Sequence, residues 1–164
     1  MCHNKSMSIQ NQLYLRIIDQ FPNPIWRAGL DAKCDFFNQS WLKFTGRAME
    51  QEMGNGWTEG VYKEDFDQCL KTYLDAFGKK EPFLMEYRLK HADGTYHWIL
   101  DSGSPFFDED KTFLGYIGSC YDINEAKSYS LEIESMNKTM IDRELKMIEL
   151  KKRVEQLESI LASK

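Results

Sequence analysis

The 164-residue sequence contains no apolar run of the roughly 18 residues that a membrane-spanning helix needs. Its start, MCHNKSMSIQ, lacks the apolar stretch of a secretory signal. Positive charge is not in excess: the net charge is −5, which argues against a nucleic-acid module, since phosphate binding needs a basic face. Cys2, Cys34, Cys69 and Cys120 show neither CxxC nor zinc spacing, and read as reduced thiols in a cytoplasmic protein. No glycine-rich phosphate loop is present, because Gly54 and Gly56 in EMGNGW do not open a helix after a strand. No Ser-His-acid or metal constellation is readable either, and the chain is expected not to be an enzyme. The expected partners include neither nucleic acid nor membrane.

What is present suits a folded domain. Hydrophobic residues make up 42% of the chain and aromatics 13%, enough to fill a core. Ile9, Leu13, Ile17 and Phe21 recur at helical spacing and predict an amphipathic helix over residues 1–20, which Pro22 and Pro24 stop. The compact part is expected over 21–123. PIWRAGLDAKCDFFN reads as two short strands around Asp31-Ala32. NQSWLKFTG reads as a short helix with Asn38 as N-cap and Gly46 just past its end. KEDFDQCLKTYLDAFGKK is a longer helix with Phe66, Cys69, Leu70, Tyr73 and Phe77 on one side, ending at Gly78.

EYRLKHADGTYHWI, residues 86–99, reads as a hairpin around Asp93-Gly94. A two-residue turn would set Leu89 opposite Trp98, Tyr87 opposite Leu100 and His91 opposite Tyr96. Ile99 would then join Lys90, His97 and Asp101 on a polar, solvent-facing side, and His91 and His97, on opposite faces, would not share a metal. TFLGYIGSCYDI supplies a fifth strand, in which Gly115 and Gly118 mark close approach of another element or a bulge. The element order predicts an α+β fold, a five-stranded antiparallel sheet with helices on one face.

From Asn124 to Lys164 proline and glycine vanish, and a 4,3 repeat follows: Tyr129, Ile133, Met136, Met140, Arg143, Met147, Leu150, Val154, Leu157 and Leu161. Only Arg143 breaks it. Such a repeat over more than four heptads predicts a coiled-coil helix over 124–164 and a homodimer through it, the alternative being one long helix folded back on its own domain. Ile141, Leu145 and Ile148 form a second, shorter stripe.

The order of these stretches resembles PAS domains of bacterial sensor histidine kinases and related signalling proteins. NPIWRAGLDAKCDFFNQSWLKFTG is similar to the family's first two strands and following helix, EYRLKHADGTYHWI to its third and fourth strands, and FLGYIGSCYDINEAK to its last strand and exit motif. The tail resembles the helical connectors that follow such domains. Two positions depart from the pattern: Tyr62-Lys63 stand where a His-Pro is common, and Asn124 where Thr is usual.

The resemblance implies a sensory input module that relays a ligand, redox or partner signal to a downstream kinase or other signalling protein. The alternatives are a ligand-free dimerisation adaptor and a fragment of a sensor kinase. The cofactor stays unknown: GNGW offers Trp57 where flavin photosensors carry a reactive cysteine, and residues 63–80 contain no histidine for haem. Candidate ligand-lining residues are Trp41, Phe44, Trp57, Phe66, Cys69, Tyr73, Met85, Tyr87 and Leu100, with core packing as the alternative role for each ring. The resemblance further implies that Asp122, at the exit, pairs with a basic residue on the neighbouring strands, Lys90 or His97.

Overall fold

The computed structural model describes residues 12–162 and divides the chain into two compact units, Met1–Asn124 and Glu125–Lys164. Ile9 lies outside the described residues. Helix α1 covers 12–19, and its Leu13 and Ile17 are exposed, as is Phe21 just after it. Strands β1 (Ile25–Ala28) and β2 (Cys34–Phe37) are followed by helices α2 (Gln39–Thr45) and α3 (Met49–Glu52) and a 3-10 turn (Gly56–Gly60). Helix α4 (Phe66–Lys79) leads into strands β3 (Phe83–Lys90), β4 (Tyr96–Phe107) and β5 (Phe113–Asp122). The strands form one antiparallel sheet in the order β2-β1-β5-β4-β3. Helices cover one face of it, so the fold is α+β as the pattern predicted.

Local chemistry sets the boundaries. The Asn38 side chain caps α2 by accepting from Trp41 N at 3.0 Å, and its amide donates to the carbonyls of Ile18, Phe21 and Asn23. One fully buried side chain thus ties the end of α1 and the segment after it to the start of α2. Gly46 ends α2 at φ 68°. Helix α4 runs past Gly78 and stops where Lys80 takes φ 57° and its N–H closes on the carbonyls of Ala76 and Phe77; the Tyr116 hydroxyl, sharing its one proton between Ala76 O (2.7 Å) and Glu81 O (2.8 Å), holds that end.

The β3–β4 hairpin differs from expectation by one residue. The pairs are Lys90↔Tyr96, Leu89↔His97, Arg88↔Trp98, Tyr87↔Ile99 and Glu86↔Leu100. Gly94 N bonds His91 O and His91 N bonds Thr95 O, with Gly94 at φ 90°. This is a three-residue loop closed by a glycine bulge rather than a two-residue primed turn. The added residue exchanges the two faces of β4. Ile99, Asp101 and Gly103 point into the core, while Trp98 and Leu100 lie on the outer face, where Arg88 sits 5.3 Å from the Trp98 ring.

Gly118 and Gly103 pair across β5 and β4 and leave the floor of the core flat. A Cβ on Gly118 would stand 2.3 Å from the Trp26 indole, and one on Gly103 2.3 Å from the Phe83 ring. Those two rings stack on this floor at 6.1 Å. Close approach, one of the two readings of Gly118, is the one observed.

Helix α5 (Asn124–Ala162), about 58 Å long at 1.5 Å per residue, begins on the last residue of the first unit and makes up the described part of the second. Tyr129, Ile133, Met136, Met140, Met147, Leu150, Val154 and Leu157 are each 50–60% exposed along it. Among the described residues, no helix is long and apolar enough to cross a membrane.

Candidate functional site

Beneath helices α2 and α4 the sheet carries a small enclosed cavity of about 10 Å³, lined by Trp26, Cys34, Phe37, Trp41, Trp57, Tyr73, Met85, Tyr87 and Asp101. That is room for about one water, against the 300–1,000 Å³ typical of pockets for organic ligands. Five of the expected lining residues, Trp41, Trp57, Tyr73, Met85 and Tyr87, meet here. Cys69 is buried beside them, and Phe66 packs on the rim of the core. Phe44 lies elsewhere, edge-on against His91 (4.9 Å) and His97 (5.8 Å). Leu100 is removed from the set altogether, because the hairpin bulge turns it outward.

The polar centre of this cavity is Asp101, which the expected register had placed on the solvent face. It is 3% exposed and has no cationic partner among the described residues; Trp26 Nε1 donates to Oδ1 at 2.9 Å and Tyr87 OH to Oδ2 at 3.3 Å. The Cys120 thiol, directly across the ladder, also bonds the carboxylate. Burial pushes the Asp101 pKa up from 3.8 to about 6, against the opposing pull of those donors. Burial also pushes the thiols of Cys34, Cys69 and Cys120 up; they are free and neutral, and behave as small apolar groups.

A second buried carboxylate seals the far side. Glu52, 1% exposed, accepts from Trp41 Nε1 at 3.1 Å and pairs with Arg47 Nε at 2.7 Å. Burial raises its pKa, while the Trp41 bond and Arg47 act in the other direction. Arg47 also donates to the carbonyls of Gln51 and Gly56, fastening α3 to the 3-10 turn.

At the sheet's exit, Asp122 Oδ2 lies 2.7 Å from His97 Nδ1, and Asp122 Oδ1 accepts from Asn124 N at 2.9 Å. Ile123 N bonds Trp98 O at 2.9 Å. Of the two basic residues named for Asp122, His97 is the one in contact, and Lys90 is exposed on the other face. His97 does not lie on the outer face with Lys90; the bulge turns it toward Phe44, in line with Ile99 and Asp101. The same shift overturns the separation of the two histidines. Their rings stack at 4.5 Å with an interplanar angle of 16°. On the outer face, Arg88 bonds Asp65 through Nε (2.8 Å) and Nη2 (2.6 Å) and holds the Asp65 carboxyl below the usual range. The start of α4 is thereby clamped to β3.

Comparison with known proteins gives this geometry a family. The uncharacterized protein y4lL of Sinorhizobium fredii is 39% identical over 116 residues, 71% of this chain and 14% of that protein. The peroxide stress-activated histidine kinase mak1 of Schizosaccharomyces pombe is 23% identical over 133 residues, 76% of this chain and 8% of that kinase. The chain therefore spans only a small part of the length of these curated relatives. The crystal structure of a PAS domain from Colwellia psychrerythraea superposes with a TM-score of 0.58 at 20% identity, covering 70% of this chain and 97% of that domain. The PAS fold family model matches residues 35–120, from the second strand to Cys120 against the buried carboxylate, and the chain belongs to the PAS fold family.

Proposed function

We propose that this chain is a non-catalytic signalling input module, working as a parallel homodimer and passing its signal to a downstream kinase or other signalling protein through α5. The observation that carries the reading is the exposed 4,3 stripe of α5. Burying a Leu, Ile or Met side chain contributes about 1.5–3 kcal/mol, so eight such positions left half-exposed favour a second copy of the same stripe. Tyr129, Ile133, Met136, Met140, Met147, Leu150, Val154, Leu157 and, by heptad position, Leu161 form the seam. Arg143 interrupts it and restricts its register.

The relay runs through the exit. Asp122 ends β5, bonds His97 on β4 and accepts from the first residue of α5. An exposed pair of this kind contributes about 0.2–1 kcal/mol, little for stability but enough to shift two balanced tail orientations about 5-fold at its upper end. The signal would leave as a rotation or tilt of the helix pair. The input need not be an organic molecule in the core, since the cavity is filled by its own side chains.

Two measurements test the reading. Light scattering on the full chain at tens of micromolar is expected to give a dimer, and a monomer would refute the seam. In a chimera joining residues 1–161 in heptad phase to a histidine kinase's catalytic half, seven residues inserted after Asn124 are expected to preserve output. Two to four should change it sharply. Output indifferent to insertion phase, or normal signalling from Asp122→Ala, would leave only a dimerising adaptor.

A further inference from the structure

One side chain each from His91, Asp93 and His97 brings three metal-competent donor atoms within 4.8 Å of one another on the β3–β4 loop. His91 Nδ1 stands 3.2 Å from Asp93 Oδ1, and His97 Nε2 3.9 Å from Asp93 Oδ2. Donors about 2.0–2.1 Å from a tetrahedral ion are about 3.4 Å apart, so donor atoms now as much as 4.8 Å apart must close in on binding. The ring directions need more: two parallel imidazoles cannot aim in-plane lone pairs at one ion. One ring must turn about its Cβ–Cγ bond, and His91, 30% exposed on the loop, has the room.

Independent features set this trio apart from a chance surface cluster. The first lies behind His97. Its Nδ1 is 2.7 Å from the Asp122 carboxylate, which leaves Nε2 to face Asp93. A carboxylate on the far nitrogen is the usual support of a metal-bound imidazole, because it fixes the tautomer and strengthens the donor. The second is the preorganisation of the loop. Thr95 bonds Asp93 Oδ1 through both N (2.8 Å) and Oγ1 (2.7 Å), and Ala92 N bonds Phe44 O at 2.8 Å, anchoring the loop to α2. The third is the Phe44 ring, edge-on to both imidazoles and closing one side to water.

We propose that His91, Asp93 and His97 bind a divalent transition-metal ion, with Asp122 as the positioning residue behind His97 and the remaining coordination positions open to solvent. Two imidazoles and one carboxylate suit borderline ions such as zinc, and suit Mg²⁺ or Ca²⁺, which prefer oxygen ligands, poorly. On binding, the ion takes the place of the Thr95 hydroxyl, now 3.1 Å from His97 Nε2. Because Asp122 is also the exit residue, an ion that fixes His97 fixes the start of the tail. As an input signal the ion rests on the relay proposed above; ion binding itself does not.

The test uses metal-stripped full chain carrying Cys2→Ser and His3→Gln, which removes the donors at the N-terminus, titrated with Zn²⁺ against a chromophoric chelator. One equivalent per chain is expected, with an unchanged affinity in millimolar Mg²⁺ and Ca²⁺. His91→Ala and His97→Gln should each weaken binding at least about tenfold, and Asp122→Asn by about 10- to 100-fold. Urea midpoints and far-ultraviolet circular dichroism show whether each variant is folded. Since the His91 ring is a partly exposed loop side chain, His91→Ala keeps the test valid even where His97→Gln destabilises the sheet. No stoichiometric binding, or one equivalent unaffected by His91→Ala, overturns the site. In the kinase chimera, output that follows insertion phase but ignores Zn²⁺ overturns the ion as the signal without touching the relay.

Discussion

Asp101→Asn isolates the electrostatic cost of the buried carboxylate. In the folded chain its pKa is about 6, against 3.8 for the free side chain, a difference equivalent to about 3 kcal/mol. Between those two values the native state binds more protons than the unfolded state, so stability falls as pH rises through the window. Below about pH 4 both states are protonated and the penalty is absent; above about pH 6 it is fully present. The amide cannot ionise. Its oxygen can accept from Trp26 Nε1, which only donates, while the Tyr87 hydroxyl can rotate to accept from the amide nitrogen. Glu52, Asp65 and Asp93 also have shifted pKa values, but they are common to both proteins and cancel in the difference. Urea denaturation at half-unit steps from pH 3.5 to 7.5 should show wild type losing about 3 kcal/mol relative to Asp101→Asn, with a slope no steeper than about 1.4 kcal/mol per pH unit. A difference that stays level across that range would refute the assignment of Asp101 as a buried, cation-free carboxylate.

Five further substitutions probe other parts of the structure. Arg47→Met strands the Glu52 carboxylate in the core and should cost about 3–5 kcal/mol at neutral pH, less in acid, read by the urea midpoint. Gly118→Ala places a methyl group against the Trp26 indole and should cost about 1–3 kcal/mol, with a shifted tryptophan emission reporting the displaced ring. Ile99→Ala should cost about 2–5 kcal/mol as a core truncation, and Leu100→Ala distinctly less; the reverse order would refute the observed hairpin register. Arg143→Leu should raise the melting temperature of the proposed dimer, and an unchanged or lower value would count against the heptad register proposed for α5.

The sequence was most legible where backbone and side-chain signals coincide. Asn38 and Gly46 bracket α2 because each does one thing that few other residues do, accepting from the free N–H groups at the start and taking positive φ at the end. The apolar period of α4 was readable, but its end was not. Gly78 offered a local stop, but the helix runs on to Lys79, where a distant contact, Tyr116 OH on Ala76 O and Glu81 O, holds its end. In the candidate cavity the large rings were found by size and spacing. Trp26 and Phe37 were missed because they sit on short strands where two or three residues give no period. Asp101 was missed for a different reason. A charged residue in an alternating strand reads as solvent-facing, and only the tertiary donors Trp26, Tyr87 and Cys120 make the inward position tolerable.

A single loop residue decides more of this protein than any core side chain. Asp93-Gly94 fits a two-residue primed turn, and with that turn Asp101 would face solvent, Leu100 would face the core and His91 would stand apart from His97. The chain instead places His91-Ala92-Asp93 in an ordinary turn and spends Gly94's positive φ on the bulge, because Thr95 can then bond Asp93 twice and Ala92 can reach Phe44 O. Inside the sheet, that choice aligns Ile99, Asp101 and Gly103 with Tyr87, Met85 and Phe83, and only this alignment puts a glycine beneath the Phe83 ring. At the loop, it brings His97 round to Asp122 and stacks it on His91. The buried carboxylate, the exit contact and the histidine pair are therefore one structural event. An alteration that shortens the loop by a residue would move all three together, so the hairpin turn is the place where the core, the candidate ion site and the Asp122 exit contact are coupled.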